Sequence, residues 1–202
     1  MLKIGITGGI GSGKSTICKL FQIMGIPVFN SDVEAKILMD NNPEIKYLLI
    51  KNFGNEVFNK NNILQRNYLA RIVFSDKDKL ILLNSIIHPR VADKYQGWLR
   101  NIENLPNLPP YVIREAAIMF ESGSNFQNDY TVLVFTEEST RISRVVKRDH
   151  LSLEEIRLRI KNQLSENEKL KRSNFVIYNS DIMPLLPQIM VLHNKWMNTI
   201  SE

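Results

Sequence analysis

A single cysteine, Cys18, stands among 202 residues. An internal disulfide is therefore excluded, and so is a zinc site built on paired cysteines. Such sparing use fits a reducing, cytoplasmic setting. No run of about 18 apolar residues occurs, so nothing reads as a membrane-spanning helix and no membrane partner is expected. A secretory signal is not expected either, because the apolar opening is broken at Lys3, by glycines and at Lys14, with no basic stretch ahead of it. Internal repeats and low-complexity tracts are also missing. Neither sign of charge dominates: 26 Lys and Arg against 21 Asp and Glu leave +5. So small and scattered an excess suits a solvated surface or an anionic nucleotide better than a nucleic-acid footprint, and no nucleic-acid partner is expected.

What is present is an ordinary globular composition, 44% hydrophobic and 23% charged. A chain of this length buries about 70% of its unfolded surface and needs no covalent staple. Short apolar runs at 2–7, 26–29, 111–113, 131–135 and 175–178 predict five strands. Between them, helices are expected at 14–24, over most of 31–103, at 139–149, after the Ser152/Glu155 capping box, and at 183–200. Pro89 is expected to kink or break its helix. Strands alternating with helices imply a parallel sheet covered on both faces, a three-layer α/β fold. The stretch at 31–109 is too long for a simple crossover and reads as a helical insertion that binds a substrate. The core is then expected at about 1–30, 110–140 and 173–202, with a small helical lid at about 141–172.

Residues 8–15, Gly-Gly-Ile-Gly-Ser-Gly-Lys-Ser, match G-x-x-x-x-G-K-[ST] in full, directly after a strand and at the start of a helix. Glycines there let backbone N–H groups turn inward around phosphate oxygens, and the helix N-terminus adds its positive end. Gly9, Gly11, Ser12 and Gly13 form the cradle. Lys14 reaches the β- and γ-phosphates, the Ser15 hydroxyl is placed for Mg²⁺, and Thr16 can reach the α-phosphate. This is a P-loop NTPase signature, with ATP as co-substrate and Mg²⁺ as cofactor. The Asn-Lys-x-Asp segment with which GTPases read a base is absent, and the chain is too short for a motor. The small size, the helical insertion and the basic helix after the fourth strand favour a small-molecule kinase.

Several other residues carry two readings each. Asp32, just past the second strand, is either a general base for an acceptor hydroxyl or a helix-capping acid. Arg141, Arg144 and Arg148, at i, i+3 and i+7, share a helix face, either gathered on phosphates as a lid or solvated. Glu115, at the end of the third strand, either holds a Mg²⁺-bound water or is a surface acid. His88 either packs or touches ligand, and Arg66 lies in the same inserted stretch.

The chain as a whole resembles the dephospho-CoA kinase family. Matching stretches are Ile6 to Thr16, Ser31-Asp32 with Ala35-Lys36, Arg66 with Leu69, and Ile86-Ile-His-Pro89. Further on come Phe120-Glu121-Ser-Gly123, Arg144 with Lys147-Arg148-Asp149, Arg159 with Gln163, and Phe175 to Asn179. The resemblance implies an ATP-dependent phosphotransferase acting on the ribose 3′-hydroxyl of dephospho-CoA. Asp32 would be the general base. Lys14 and Arg148 would act on the ATP phosphates with Arg144 beside them, and Asn179 would lie near the adenine. Arg66, Leu69, His88 and Glu121 would belong to the acceptor side. Another small-molecule kinase, for a nucleoside or a sugar acid, and a nucleotide-binding regulator are the alternatives. Two departures stand out. The family's second motif often reads Asp-x-Asp, whereas Asn30 holds the first position here, which directs attention to Glu115 for Mg²⁺. Strand three ends in Arg114-Glu115-Ala116-Ala117 where an apolar-proline segment is common.

Overall fold

The computed structural model describes residues 1–149 and 151–199. They form two compact units, Met1–Asn30 with the chain from Asn101 onward, and Ser31–Arg100.

The first unit is built on a five-stranded, wholly parallel sheet in the order β2-β3-β1-β4-β5. Its strands are β1 Leu2–Thr7, β2 Val28–Asn30, β3 Tyr111–Glu115, β4 Tyr130–Phe135 and β5 Phe175–Tyr178. The strands are short and almost continuously apolar because both faces are covered. On one face Ile4, Ile6, Tyr111, Ile113, Val132, Val134 and Ile177 pack against α1 (Lys14–Ile23) and the C-terminal helix Leu185–Asn198, through Ile17, Phe21, Ile189, Leu192 and Trp196. Burying each large apolar side chain here is worth about 1.5–3 kcal/mol. The other face is equally tight. A Cβ at Gly5 would lie 2.5 Å from Met119 Sδ and from Asn128 Nδ2, so only glycine fits at that point of β1.

In the second unit, α2 (Ser31–Asn41), α3 (Pro43–Phe53), α4 (Arg66–Phe74) and α5 (Lys77–Glu103) surround an apolar interior that includes Ile45, Leu49, Val57, Val73, Ile87 and Tyr95. Asn42 caps α3 by accepting the Ile45 N–H at 3.1 Å, with Pro43 in the first turn. Pro89 lies inside α5 and does not break it, so of the two expected outcomes the break is not seen. Ile86 and Ile87 are buried before it, and Val91, Tyr95 and Leu99 after it. Burial on both sides outweighs the one hydrogen bond that proline removes.

After β4, α6 (Glu138–Asp149), α7 (Leu153–Lys161) and α8 (Glu166–Arg172) lead back to β5, and the C-terminal helix is α9. The capping box at Ser152 and Glu155 is present in both directions. Residue 200, expected at the end of the last helix, lies outside the described residues.

In the sheet, neighbours of β1 lead the chain to opposite edges, so the strand order reverses beside it. The carboxyl ends of parallel strands at such a reversal are where ligands bind. Thr7, Asn30, Glu115, Phe135 and Tyr178 are the last residues of the five strands.

Candidate active site

The glycine-rich loop joins β1 to α1 at this carboxyl edge. Gly11 and Gly13 have φ of 81° and 90°, the left-handed region that side chains avoid. Space is short as well as torsion. A Cβ at Gly13 would run into the Asn179 amide, and one at Gly11 would lie 2.5 Å from the Arg141 carbonyl. The helix α1 begins without a side-chain cap and without an acidic residue in its first turn. Its first N–H groups and its dipole are thus left for an anion. Lys14 is buried and curls back, its Nζ donating to Gly8 O at 2.9 Å and Gly9 O at 3.2 Å. Ser15 and Thr16 are exposed at the helix start. The Ser12 carbonyl accepts from Asn179 Nδ2 at 2.7 Å and from Thr136 Oγ1 at 3.0 Å, so Asn179 ties the end of β5 to the loop.

Glu115 is nearly fully buried at the end of β3. Ser15 Oγ donates to its Oε1 at 2.7 Å, and Asn30 Nδ2 donates to its Oε2 at 2.6 Å. Asparagine at position 30 therefore has a physical consequence. It gives Glu115 a donor where an aspartate would set a second carboxylate against the first. Cys18 lies one turn into α1. Burial pushes its thiol well above the ordinary value, and the charge of Glu115 together with a hydrogen bond to it adds to that shift. Ser15 and Glu115 offer hard oxygens side by side, the donor chemistry of Mg²⁺. Among the described residues no cluster of three His, Cys, Asp or Glu could hold a metal by itself.

The three arginines of α6 part company. Arg141 is buried with Nε on the Thr136 carbonyl at 3.1 Å and lies 3.6 Å from Glu138 and 3.8 Å from Glu166. It does not share an exposed face with the other two. Arg144 is half-buried, its Nη1 within 3.8 Å of where a Gly13 Cβ would be. Arg148 is exposed and forks onto Asp149 through Nε at 2.7 Å and Nη2 at 2.8 Å, a pairing that raises its already high pKa. Glu121 accepts the Leu164 N–H at 2.7 Å and lies 3.9 Å from Lys169.

In the second unit, Asp32 sits in the first turn of α2, half-buried. Arg66, at the start of α4, pairs with Asp40 at 2.5 Å and also donates to the Lys36 carbonyl. Leu69 is buried in α4, and His88 is half-buried in α5.

Sequence reasoning missed the supports. Thr136, Glu166 and Lys169 were not singled out, and Gln163 entered only as part of a matching stretch. Each contacts its partner across a long sequence separation, which no local motif announces. Lys169 shares α8 with Lys171 and Arg172, so nothing in the sequence marks it as the one that turns inward, at 0% exposure.

The comparisons with known proteins agree with this geometry. The family model for dephospho-CoA kinase (CoaE) matches residues 2–184. A dephospho-CoA kinase of Bacteroides fragilis is 40% identical over 191 residues, covering 95% of this chain and 91% of that one. One from Salinibacter ruber is 35% identical over 179 residues, 89% of each chain. The crystal structure of a Thermus thermophilus protein superposes with a TM-score of 0.78 at 33% identity, over 96% of this chain and 97% of that one. A dephospho-CoA kinase from Campylobacter jejuni, 24% identical with a TM-score of 0.66 over 99% and 98% of the two chains, shares the fold. With a phosphate loop at the sheet's carboxyl edge, a carboxylate beside its serine and relatives matching almost end to end, the chain belongs to the dephospho-CoA kinase family.

Proposed function

We propose that this protein transfers the γ-phosphoryl group of ATP to the ribose 3′-hydroxyl of dephospho-CoA, giving CoA and ADP. The observation that carries the reading is the contact of Ser15 with Glu115 beside Lys14 at the mouth of the phosphate loop, in a chain of this family. Loop amides and the start of α1 hold the β-phosphate, and Lys14 exchanges its carbonyl partners for phosphate oxygens. Ser15 and Glu115 would hold Mg²⁺. When bound, the ion neutralises charge on the β- and γ-phosphoryl oxygens. Arg148 leaves Asp149 for the transferring phosphoryl group, with Arg144 alongside it. Asn179 sits toward the adenine. Asp32 takes the proton of the 3′-hydroxyl, and Arg66 and His88 recognise the acceptor. Glu121 contributes to the acceptor side. The reaction belongs in the cytoplasm, where ATP is made available and Cys18 stays reduced.

Asp32→Asn tests the assignment. It should lower kcat by about 10²–10⁴-fold while leaving Mg·ATP and dephospho-CoA affinities nearly unchanged. Turnover close to wild type would remove Asp32 from the mechanism. Transfer to adenosine or a sugar acid, with none to dephospho-CoA, would overturn the substrate.

A further inference from the structure

Among the described residues, side chains from outside the phosphate loop hold its backbone at Ser12 and at Ile10. Thr136 and Asn179 take the Ser12 carbonyl. The second tie is the Ile10 N–H, which donates to Gln163 Oε1 at 3.0 Å across 153 positions of sequence. Gln163 has no part in the roles assigned above, yet it meets the loop at its Gly9–Ile10 corner.

Its support is firm. The next residue, Leu164, donates its N–H to Glu121 at 2.7 Å. Ser165 then caps α8 by accepting the Glu168 N–H at 3.3 Å. Glu166 lies 3.8 Å from Arg141 and 3.7 Å from Lys169, both buried. The same clamp presses on the residue before Ile10, since a Cβ at Gly9 would meet the Arg141 guanidinium and lie 2.7 Å from Glu166 Oε1. Two successive loop residues thus rest on one short segment, 163–166. A cavity of about 380 Å³ lined in part by Arg141, Gln163 and Glu166 opens beside it.

We propose that Gln163 is a positioning residue for the nucleotide. It fixes the Gly9–Ile10 corner so that the amides that follow keep their inward set before the triphosphate arrives. A loop with glycine at 9, 11 and 13 loses much backbone freedom on closing round phosphate, and a tie that removes part of that freedom beforehand strengthens binding. Gln163 acts through the loop backbone. The proposal rests on the reading of this loop as the ATP site.

Calorimetric titration of Mg·ADP and, separately, of dephospho-CoA into wild type, Gln163→Leu and Gln163→Glu tests it. Leucine keeps the volume and removes the accepting oxygen; glutamate keeps an oxygen. The leucine variant should bind Mg·ADP about 2- to 12-fold more weakly, the worth of one neutral hydrogen bond. Its dephospho-CoA affinity and thermal midpoint should hold, KM for ATP should rise, and kcat should stay. The glutamate variant should recover most of the loss. Wild-type Mg·ADP affinity in the leucine variant would overturn the proposal. So would a fall in affinity for both ligands together with the thermal midpoint, which marks a merely structural residue. Failure of the wild-type protein to bind Mg·ADP at all would instead bring down the reading of the loop.

Discussion

The two units use the same charged residue types in opposite ways. Around the phosphate loop, Arg141 and Lys169 are almost wholly buried and spaced 3.6–3.9 Å from Glu138, Glu166 and Glu121. In the 31–100 unit, Arg66 pairs with Asp40 at 38% and 45% side-chain exposure, and Arg90 pairs with an exposed Glu44. Buried ion pairs lose as much in desolvation as they gain in attraction, so their contribution is to geometry rather than to stability. Exposed pairs contribute little and exchange partners readily. The loop-bearing unit thus has fixed charges behind a site that must be preformed. The inserted unit keeps its charges in water, where an incoming anion can compete for them.

Removing one member of each kind of pair should expose the contrast, and the largest effect belongs to the buried set. Burial depresses the Lys169 pKa, with Glu121 and Glu166 opposing the shift. Lys169→Ala removes the buried cation 3.9 Å from Glu121 and 3.7 Å from Glu166, and leaves Glu166 only Arg141. That should cost about 3–5 kcal/mol, or roughly 6–20 °C in thermal midpoint for a chain of this size. Lys169→Met, which fills the space without restoring the charge, should be no better than partly restorative. A midpoint within about 2 °C of wild type for the alanine variant would show that the cluster is not tightly coupled.

Legibility followed the range of the interactions. The phosphate loop was readable because Gly8 to Ser15 act through adjacent residues, and the five strands because each is a compact apolar run. Strand β5 at 175–178 matches to the residue, and β3 opens on the apolar run 111–113 and ends at Glu115, as expected. The partners of Glu115, Ser15 and Asn30, are 100 and 85 positions away. Topology, not spacing, joins them. Arg141 shows the opposite failure. Helical periodicity grouped it with Arg144 and Arg148, and only the packing of Glu138 and Glu166 reveals that it turns inward. Pro89 fails to break α5 for a related reason, since local propensity is weaker than apolar burial on both of its sides.

A smaller effect belongs to Cys18, whose pH dependence has the sign opposite to that of Lys169. The native thiol is held protonated well above the ordinary 9.0, first by burial and then by Glu115. Above about pH 9 the unfolded state releases this proton and the native state keeps it, so the unfolded state binds fewer protons and stability falls. Lys169, with its native pKa lowered, makes stability rise with pH as the native form loses its proton ahead of the unfolded form, up to about 10.5. Comparing Cys18→Ser with wild type at each pH cancels the lysine. The wild type should lose about 1.5 kcal/mol relative to the serine variant between pH 7.5 and 10. Parallel denaturation curves across that range would mean that the thiol ionises as freely folded as unfolded.

The least costly change to the fold should be Arg66→Ala, and it sharpens the contrast most. Its pair with Asp40 is more than one-third exposed on both sides, so stability should change by less than about 1 kcal/mol, near the limit of measurement. An arginine free to leave Asp40 for an anionic acceptor contributes to binding instead. A charge-assisted hydrogen bond lost from the acceptor site should raise KM for dephospho-CoA by about tenfold or more, with KM for ATP unchanged. Asp40→Ala separates the two roles. It breaks the same pair but leaves the guanidinium in place, so KM for dephospho-CoA should stay level or fall. If both variants raised that KM equally, the pair itself would be what matters, and Arg66 would belong with the fixed charges around the loop rather than with those that change partners.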